Sequence, residues 1–162
     1  MIHVRPAIAL DAPSMARLLN PIIEDGSTTA IAKKVTGDDL VAWMQRNTGR
    51  AAWHVAVDKG EEVVGFQWID AGGDYLPAEA AEIATFVQVG QTGLGIGSKL
   101  FDATRKAAKA LGYAWINANI RADNEGGLIY YQSRGFQDYG RIEGYEMANG
   151  QIVDKVLKRY DL

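Results

Sequence analysis

The chain has 162 residues, 48% of them hydrophobic and 23% charged, a balance that excludes a disordered chain and predicts a single domain spanning 1–162. Its net charge of −3 gives no general attraction to phosphate backbones or anionic lipid, so neither nucleic acid nor membrane is an expected partner. The lack of cysteine excludes disulfides, thiolate metal ligands and a cysteine nucleophile.

The first residues, Met1 to Pro6, contain no long apolar stretch followed by a cleavage site, and no run of about 18 apolar residues occurs elsewhere. We therefore expect a cytoplasmic protein. The two histidines, His3 and His54, are far apart in sequence, so no metal site is predicted.

The amino-terminal third predicts one strand, two helices and a loop between the helices. Residues 2–6 read as the strand, and Asp11 opens a helix whose apolar residues recur at helical spacing. Thr36 followed by Asp39 resembles a capping box at the start of a second, short helix. The segment 24–36 is then a loop.

The remainder predicts six strands and two helices. The first two strands form an antiparallel pair joined by a turn at 58–61, and one helix ends at Gly112. The strands are predicted at 53–57, 63–69, 82–89, 113–120, from Gly135 onward and at 152–158, and the second helix at 124–133. The order β-α-α-β-β-β-α-β-α-β-β indicates a mixed sheet of the α/β or α+β class.

Three alternating glycines, Gly93, Gly95 and Gly97, stand between a predicted strand and the helix that follows. Free N–H groups at a helix N-terminus bind phosphate, and glycine lets the ligand approach the backbone, so we favour a phosphate site over a tight turn that binds nothing. The spacing is not the G-x-G-x-x-G of dinucleotide sites. A nucleotide P-loop is also disfavoured, since the order here is Gly97-Ser98-Lys99.

The segment from Val87 to Ser98 resembles the acetyl-CoA motif of the GNAT superfamily of N-acetyltransferases, with Thr92 where the family has Arg or Gln. A second family motif is matched by Asn124, Tyr131 and the pair Gly135-Phe136. The resemblance covers essentially the whole chain and is closest to the phosphinothricin and methionine-sulfone acetyltransferase branch. That branch is indicated by three short stretches: Arg5-Pro6-Ala7, Glu82 five places before Val87, and Ala122-Asp123-Asn124-Glu125.

The resemblance implies a mostly antiparallel central sheet flanked by helices, with a glycine turn into the long central helix. It also implies acetyl-CoA as cosubstrate. Main-chain groups of the splayed fourth strand would contact the acyl carbonyl and the pantetheine arm, and the glycine turn would hold the pyrophosphate. Asn124 would bond the CoA arm, or cap the helix that it precedes, or both. The implied cofactor-binding residues are Val87, Gln88, Val89, Thr92, Gly93, Gly95, Gly97, Ser98 and Asn124.

Acyl transfer to an amine needs a neutral amine, stabilisation of an oxyanion and a proton for the departing thiolate. Glu82 is our candidate base; the equally weighted alternative is a structural carboxylate, either solvated on an edge strand or paired with an Arg or Lys. Tyr131 is the candidate proton donor, because the family places this hydroxyl near the cofactor sulfur; its alternative role is aromatic packing.

The expected acceptor is the primary amine of a small molecule, such as an amino acid or an amino-acid analogue. By analogy the loop 24–36, together with Trp43, forms part of its site. Two other functions stay open: a non-catalytic acyl-CoA sensor and a protein N-terminal acetyltransferase. A homodimer also stays open.

Overall fold

The computed structural model describes residues 1–91 and 95–162, and its elements follow the predicted order, with one short 3₁₀ turn added before the first helix. The mixed α/β fold is therefore confirmed. The strands are β1 (His3–Pro6), β2 (Ala52–Val57), β3 (Val63–Ala71), β4 (Ala80–Val87), β5 (Trp115–Arg121), β6 (Gln137–Glu146) and β7 (Ile152–Asp161). The helices are α1 (Ala12–Asp25), α2 (Gly37–Met44), α3 (Ile96–Ala110) and α4 (Glu125–Ser133).

The seven strands form one sheet in the order β1-β2-β3-β4-β5-β7-β6. Every neighbouring pair is antiparallel except β4 and β5, which run parallel because α3 carries the chain back between them. The sheet is thus mixed and mostly antiparallel, as predicted.

Helices cover both faces of the sheet. On one face α1 and α2 bury Met15, Leu19 and Leu40 against aromatic residues of the sheet, where the rings of Trp53 and Trp68 stack 4.2 Å apart. On the other face α3 and α4 pack against the central strands. No helix in the described parts of the chain is long and apolar enough to cross a membrane.

Local sequence signals fix several helix ends. Thr36 Oγ1 accepts the N–H of Asp39 at 3.1 Å while Asp39 Oδ2 accepts the N–H of Thr36 at 2.9 Å, which confirms the capping box. After α3, Gly112 adopts a left-handed φ of 89°, a conformation that suits glycine and stops a helix. In the turn between β2 and β3 the left-handed residue is Glu61, not Gly60.

The pairing of β4 with β5 is short. It runs from Ala80 and Trp115 to Ile83 and Ala118, and beyond this point each strand stays paired only with its outer neighbour. The strands therefore diverge and leave a gap in the sheet, as the family resemblance implies. The register of β4 with β3 is regular and contains no bulge, so the divergence from β5 is what frees main-chain groups of β4.

Candidate active site

A cleft of about 1620 Å³ opens in the gap between β4 and β5 and extends along both faces of β4. The N-termini of α3 and α4 lie beside it, because α3 follows β4 in the chain and α4 follows β5. Its walls include Glu82, Tyr131 and all the described members of the predicted cofactor site: Val87, Gln88, Val89, Gly95, Gly97, Ser98 and Asn124. Thr92 and Gly93 lie outside the described residues.

The N-terminus of α3 forms one end of the cleft. Gly95 caps the helix with a left-handed φ of 73°, and the first helical hydrogen bond runs from the N–H of Lys99 to its carbonyl at 3.1 Å. The N–H groups of the first helical turn, from Ile96 to Ser98, therefore have no partner within the helix. Donors in this arrangement, together with the helix dipole, favour a phosphate group.

Arg134 adds a positive charge at the same end. Its guanidinium Nη1 donates to Ser98 Oγ, while its buried Nε has no hydrogen-bond partner among the described residues. A cation with an unused donor, beside N–H groups that have no partner within the helix, fits an anionic ligand. Sequence reasoning missed Arg134, although it stands directly before the motif pair Gly135-Phe136.

Main-chain groups of β4 point alternately to β3 and into the gap. Gln88 donates its N–H to the carbonyl of Val64 on β3 at 2.9 Å, so its main-chain donor is already used. In an antiparallel pair, every second residue points its N–H and C=O toward the partner strand. The residues between these point both groups away from the partner strand. Thr85 and Val87 thus present theirs to the gap, where β5 no longer pairs with β4. Val89 follows the strand and is exposed.

Tyr131 reaches the cleft from α4 and is buried. Its hydroxyl lies 2.8 Å from Thr85 Oγ1, which in turn accepts a hydrogen bond from Gln67 Nε2 at 2.8 Å. Either hydroxyl can donate across this contact; when Thr85, which already accepts from Gln67, gives its hydrogen to Tyr131, the Tyr131 proton is free to face the cleft. Burial raises the pKa of Tyr131, which keeps that proton in place at neutral pH.

Tyr130 of α4 is hydrogen-bonded to the N-terminus of α3. It donates to the carbonyl of Gly97 at 2.7 Å and accepts from Gln67 at 3.1 Å, and burial raises its pKa to about 12. A Cβ at Gly97 would meet the Tyr130 ring at 2.5 Å, whereas one at Gly95 would meet nothing within 4 Å. The glycine at 97 is therefore required by the packing of Tyr130, a role that the sequence did not reveal.

Glu82 and Asp70 form an acidic pair at the other end of the cleft. They are opposite each other in the register of β3 and β4, and both line the cleft. Burial, followed by the charge of Asp70, raises the pKa of Glu82, while a hydrogen bond from Tyr75 opposes the shift. Burial likewise raises the pKa of Asp70. Glu82 is on a central strand, so the alternative of a solvated edge-strand carboxylate is wrong.

The hydroxyl of Tyr75 holds Glu82 in place. It donates to the Glu82 carboxylate and accepts from Nδ2 of Asn117 at 3.1 Å and of Asn119 at 3.2 Å. Sequence reasoning missed Asp70 and Tyr75 because neither is close to Glu82 along the chain.

Asn124 caps α4, as predicted. Its Oδ1 accepts the N–H of Gly127 at 3.0 Å, and its Nδ2 donates to the carbonyl of Thr28 at 3.1 Å. Arg121 also holds this loop, donating to the carbonyls of Gly26 at 2.8 Å and Thr29 at 3.1 Å. Residues 28–31 consequently form a wall of the cleft. A bond from Asn124 to the CoA arm stays a prediction.

Trp43 packs against Trp68 in the core, with ring centroids 6.1 Å apart, and is not among the described residues that line the cleft. Trp43 therefore packs behind Trp68, which lines the cleft, and does not line the cleft itself. Over residues 1–91 and 95–162, no group of three or more His, Asp or Glu side chains is arranged to hold a metal ion.

The sequence profile of the Acetyltransferase (GNAT) family matches residues 21–136, which is more than half of the chain. The chain belongs to this family. The predicted enzyme class, an acetyl-CoA-dependent N-acetyltransferase, is thereby confirmed.

Relatives of this acetyltransferase support the predicted branch. YwnH of Bacillus subtilis, provisionally named a phosphinothricin acetyltransferase, is 28% identical over 155 residues, which cover 94% of this chain and 90% of YwnH. The L-methionine sulfoximine/L-methionine sulfone acetyltransferase of Pseudomonas aeruginosa is 26% identical over 166 residues, which cover 98% of this chain and 94% of that protein. In fold, the chain resembles a phosphinothricin acetyltransferase from Sinorhizobium meliloti solved with acetyl-CoA, with a TM-score of 0.88, 20% identity and coverage of 99% and 88% of the two chains.

The packing of Tyr130 on Gly97 predicts the effect of a small substitution. Gly97→Ala should lower stability by about 1–3 kcal/mol, as overpacking does, and should weaken acetyl-CoA binding because the N-terminus of α3 must shift. Thermal unfolding and calorimetric titration with acetyl-CoA measure both effects. The control is Gly60→Ala, whose Cβ would make an ordinary 3.5 Å contact. An equally stable Gly97→Ala protein with unchanged affinity would contradict this role of Gly97.

Proposed function

We propose that the protein, acting as a single domain over 1–162, transfers the acetyl group of acetyl-CoA to the primary amine of a small molecule, an amino acid or an amino-acid analogue. The observation that carries this proposal is the divergence of β4 from β5. The cleft that it opens is lined by both Glu82 and Tyr131 and lies beside the N-terminus of α3.

The cleft fits the donor molecule chemically. The N–H groups of Gly97 and Ser98, with the guanidinium of Arg134, would hold the pyrophosphate. The main-chain groups of Val87 that face the gap would form hydrogen bonds with the pantetheine arm and the acyl carbonyl. Val89 borders this region. Gln88 would contact the cofactor through groups other than its main-chain N–H, which already donates to Val64. Thr92, Gly93, Gly95 and Asn124 complete the proposed set. Bound here, acetyl-CoA supplies the reactive thioester.

Two residues of the chain would move the protons. Glu82, as base, accepts a proton from the substrate ammonium, directly or through water, and its raised pKa makes it a stronger base than an ordinary carboxylate. Tyr131, as acid, donates to the departing sulfur through the proton that its contact with Thr85 leaves available. The amine attacks directly, so no enzyme nucleophile is required.

The acceptor end of the cleft favours a small molecule over a protein N-terminus. Residues 28–31 close one side of it; Asn124 holds the carbonyl of Thr28 and Arg121 that of Thr29. The relatives whose names specify phosphinothricin and methionine sulfone support the same choice. A non-catalytic acyl-CoA sensor is disfavoured because it would need neither Glu82 nor an oriented Tyr131 hydroxyl.

The proposed function predicts cofactor-specific stabilisation and turnover. Acetyl-CoA should raise the Tm, by an amount worth about 2.7 kcal/mol at 100 times its Kd, while NAD and ATP should do so far less. Thiol release from acetyl-CoA should occur with small primary amines, tested as a panel of amino acids, methionine sulfone, phosphinothricin, polyamines and peptides. Binding of acetyl-CoA without release on any acceptor would instead indicate the sensor, and release with peptides alone would indicate a protein acetyltransferase.

Tyr131→Phe should preserve ring packing and acetyl-CoA affinity while lowering kcat by about 10²- to 10⁴-fold, the usual contribution of a general acid. Steady-state kinetics with the best acceptor and titration with acetyl-CoA separate the two effects. The matched control is Tyr160→Phe, which removes a hydroxyl from the same aromatic cluster away from the cleft. A wild-type kcat in folded Tyr131→Phe would remove Tyr131 as the acid.

The pH profile of kcat tests Glu82. In the wild type kcat should rise as pH increases through the raised pKa of Glu82 and then level off, because the base must be ionised to accept a proton. Glu82→Gln should lower kcat and move the rising limb upward, toward the pKa of the amine itself. Glu79→Gln, three residues earlier and exposed, is the control. An unchanged profile in Glu82→Gln would exclude Glu82 as the base.

A further inference from the structure

A buried lysine faces the acidic end of the cleft. Lys155 lies on β7, is 9% exposed and lines the cleft together with Glu82. The ring of Tyr145 lies 3.6 Å from Lys155 Nζ, a cation–π contact that limits where the ammonium can go. Among the described residues, which include every carboxylate of the chain, none forms an ion pair with Lys155 within 4.0 Å.

The charges of Lys155 and Glu82 influence each other without contact. Burial lowers the pKa of Lys155, and the negative charge of Glu82 opposes that shift. Burial raises the pKa of Glu82, and Lys155 opposes it in turn. A buried charge without a counter-ion is costly. Lys155 therefore gains stability from an anionic group beside it, and Glu82 gains stability from a cationic group beside it.

The other cations of this region are already engaged. Arg121 donates to the main-chain carbonyls of Gly26 and Thr29, and its Nη2 donates to Asp123 Oδ2 at 2.7 Å. Arg46 lies on the exposed side of the cleft, 3.9 Å from Asp70. Within the described chain, Lys155 is therefore the cleft cation best placed to bind an anionic group of the acceptor.

We propose that Lys155 binds the carboxylate of a zwitterionic α-amino acid whose ammonium group lies against Glu82 and Asp70. This assignment rests on the proposed function and narrows its acceptor to amines that carry a neighbouring carboxylate. A polyamine would bring a second cation toward Lys155, which repels it. A peptide N-terminus has an amide where the carboxylate would have to be. Lys155 is thus a specificity-determining residue.

Two acceptors that differ only by the carboxylate test the proposal. Methionine sulfone and 3-(methylsulfonyl)propylamine form such a pair, and L-phenylalanine and phenethylamine form a second. Wild type should prefer the amino acid of each pair in kcat/KM by about 10- to 100-fold, the range for a hydrogen bond to a charged group. Lys155→Met, which keeps the apolar stem, should lose this preference mainly through a higher KM for the amino acid.

The decarboxylated amines and acetyl-CoA serve as internal controls for Lys155→Met. Their KM values should change little, and Lys155→Arg should restore part of the preference by returning the positive charge. Lys109→Met, which removes an exposed charge near the far end of α3, should keep the wild-type preference. If Lys155→Met does not fold, the wild-type comparison still decides whether the carboxylate is recognised, and Lys155→Arg tests the residue.

The results separate the two proposals. Wild-type turnover of the decarboxylated amines at least equal to that of the amino acids would overturn the carboxylate site and leave a small-amine acetyltransferase standing. An undiminished preference in Lys155→Met would also overturn it, as would a loss confined to the KM of acetyl-CoA. Absence of thiol release with every small amine would refute the proposed function itself.

Discussion

The site depends on a single constraint in the sheet, the early end of pairing between its two parallel strands. β4 and β5 share four registered positions and then separate, while β3 and β7 keep each of them extended on its outer side. The gap is therefore held open by regular hydrogen bonding elsewhere. Since each parallel strand leads into a helix at the same end of the sheet, the N-termini of α3 and α4 both lie at the gap. Free main-chain groups and helix dipoles are thus concentrated where a phosphate-containing thioester would enter.

A buried polar network connects this gap to both helices. Gln67 on β3 donates to Thr85 on β4 and to Tyr130 on α4, and Tyr130 donates onward to Gly97 at the start of α3. Buried donors must find acceptors, so these bonds fix the orientation of each group as well as its position. Gln67 Oε1 is left without a partner among the described residues. The network makes the position of α3 depend on a tyrosine of α4, and with Thr85 as the donor to Tyr131 it leaves the Tyr131 proton available to the cleft.

Electrostatics divides the cleft into two ends. The α3 end carries free N–H groups and Arg134, which suit an anion, whereas the opposite end carries Asp70 and Glu82, which suit a cation. Asp70 is buried and Glu82 partly buried, and burial raises the pKa of each carboxylate. Lys155 lies beside this acidic end but does not contact it. A positive and a negative charge therefore lie near each other without forming an ion pair. Such an arrangement favours a ligand that carries both signs of charge close together.

The sequence by itself determined the order of the elements and the ends that short-range chemistry fixes. The capping box of Thr36 and Asp39, the cap at Asn124 and the stop at Gly112 each involve groups within three residues, so a local pattern is sufficient. Only the tertiary structure decided which side chains meet. Thr85 and Tyr131 are 46 residues apart, and Tyr75 reaches Asn119 across 44, because strand order and register bring distant segments together. The environment of Glu82 depends on that register, as does the lack of an ion pair for Lys155 among the described residues, and no periodicity or motif along the chain encodes it.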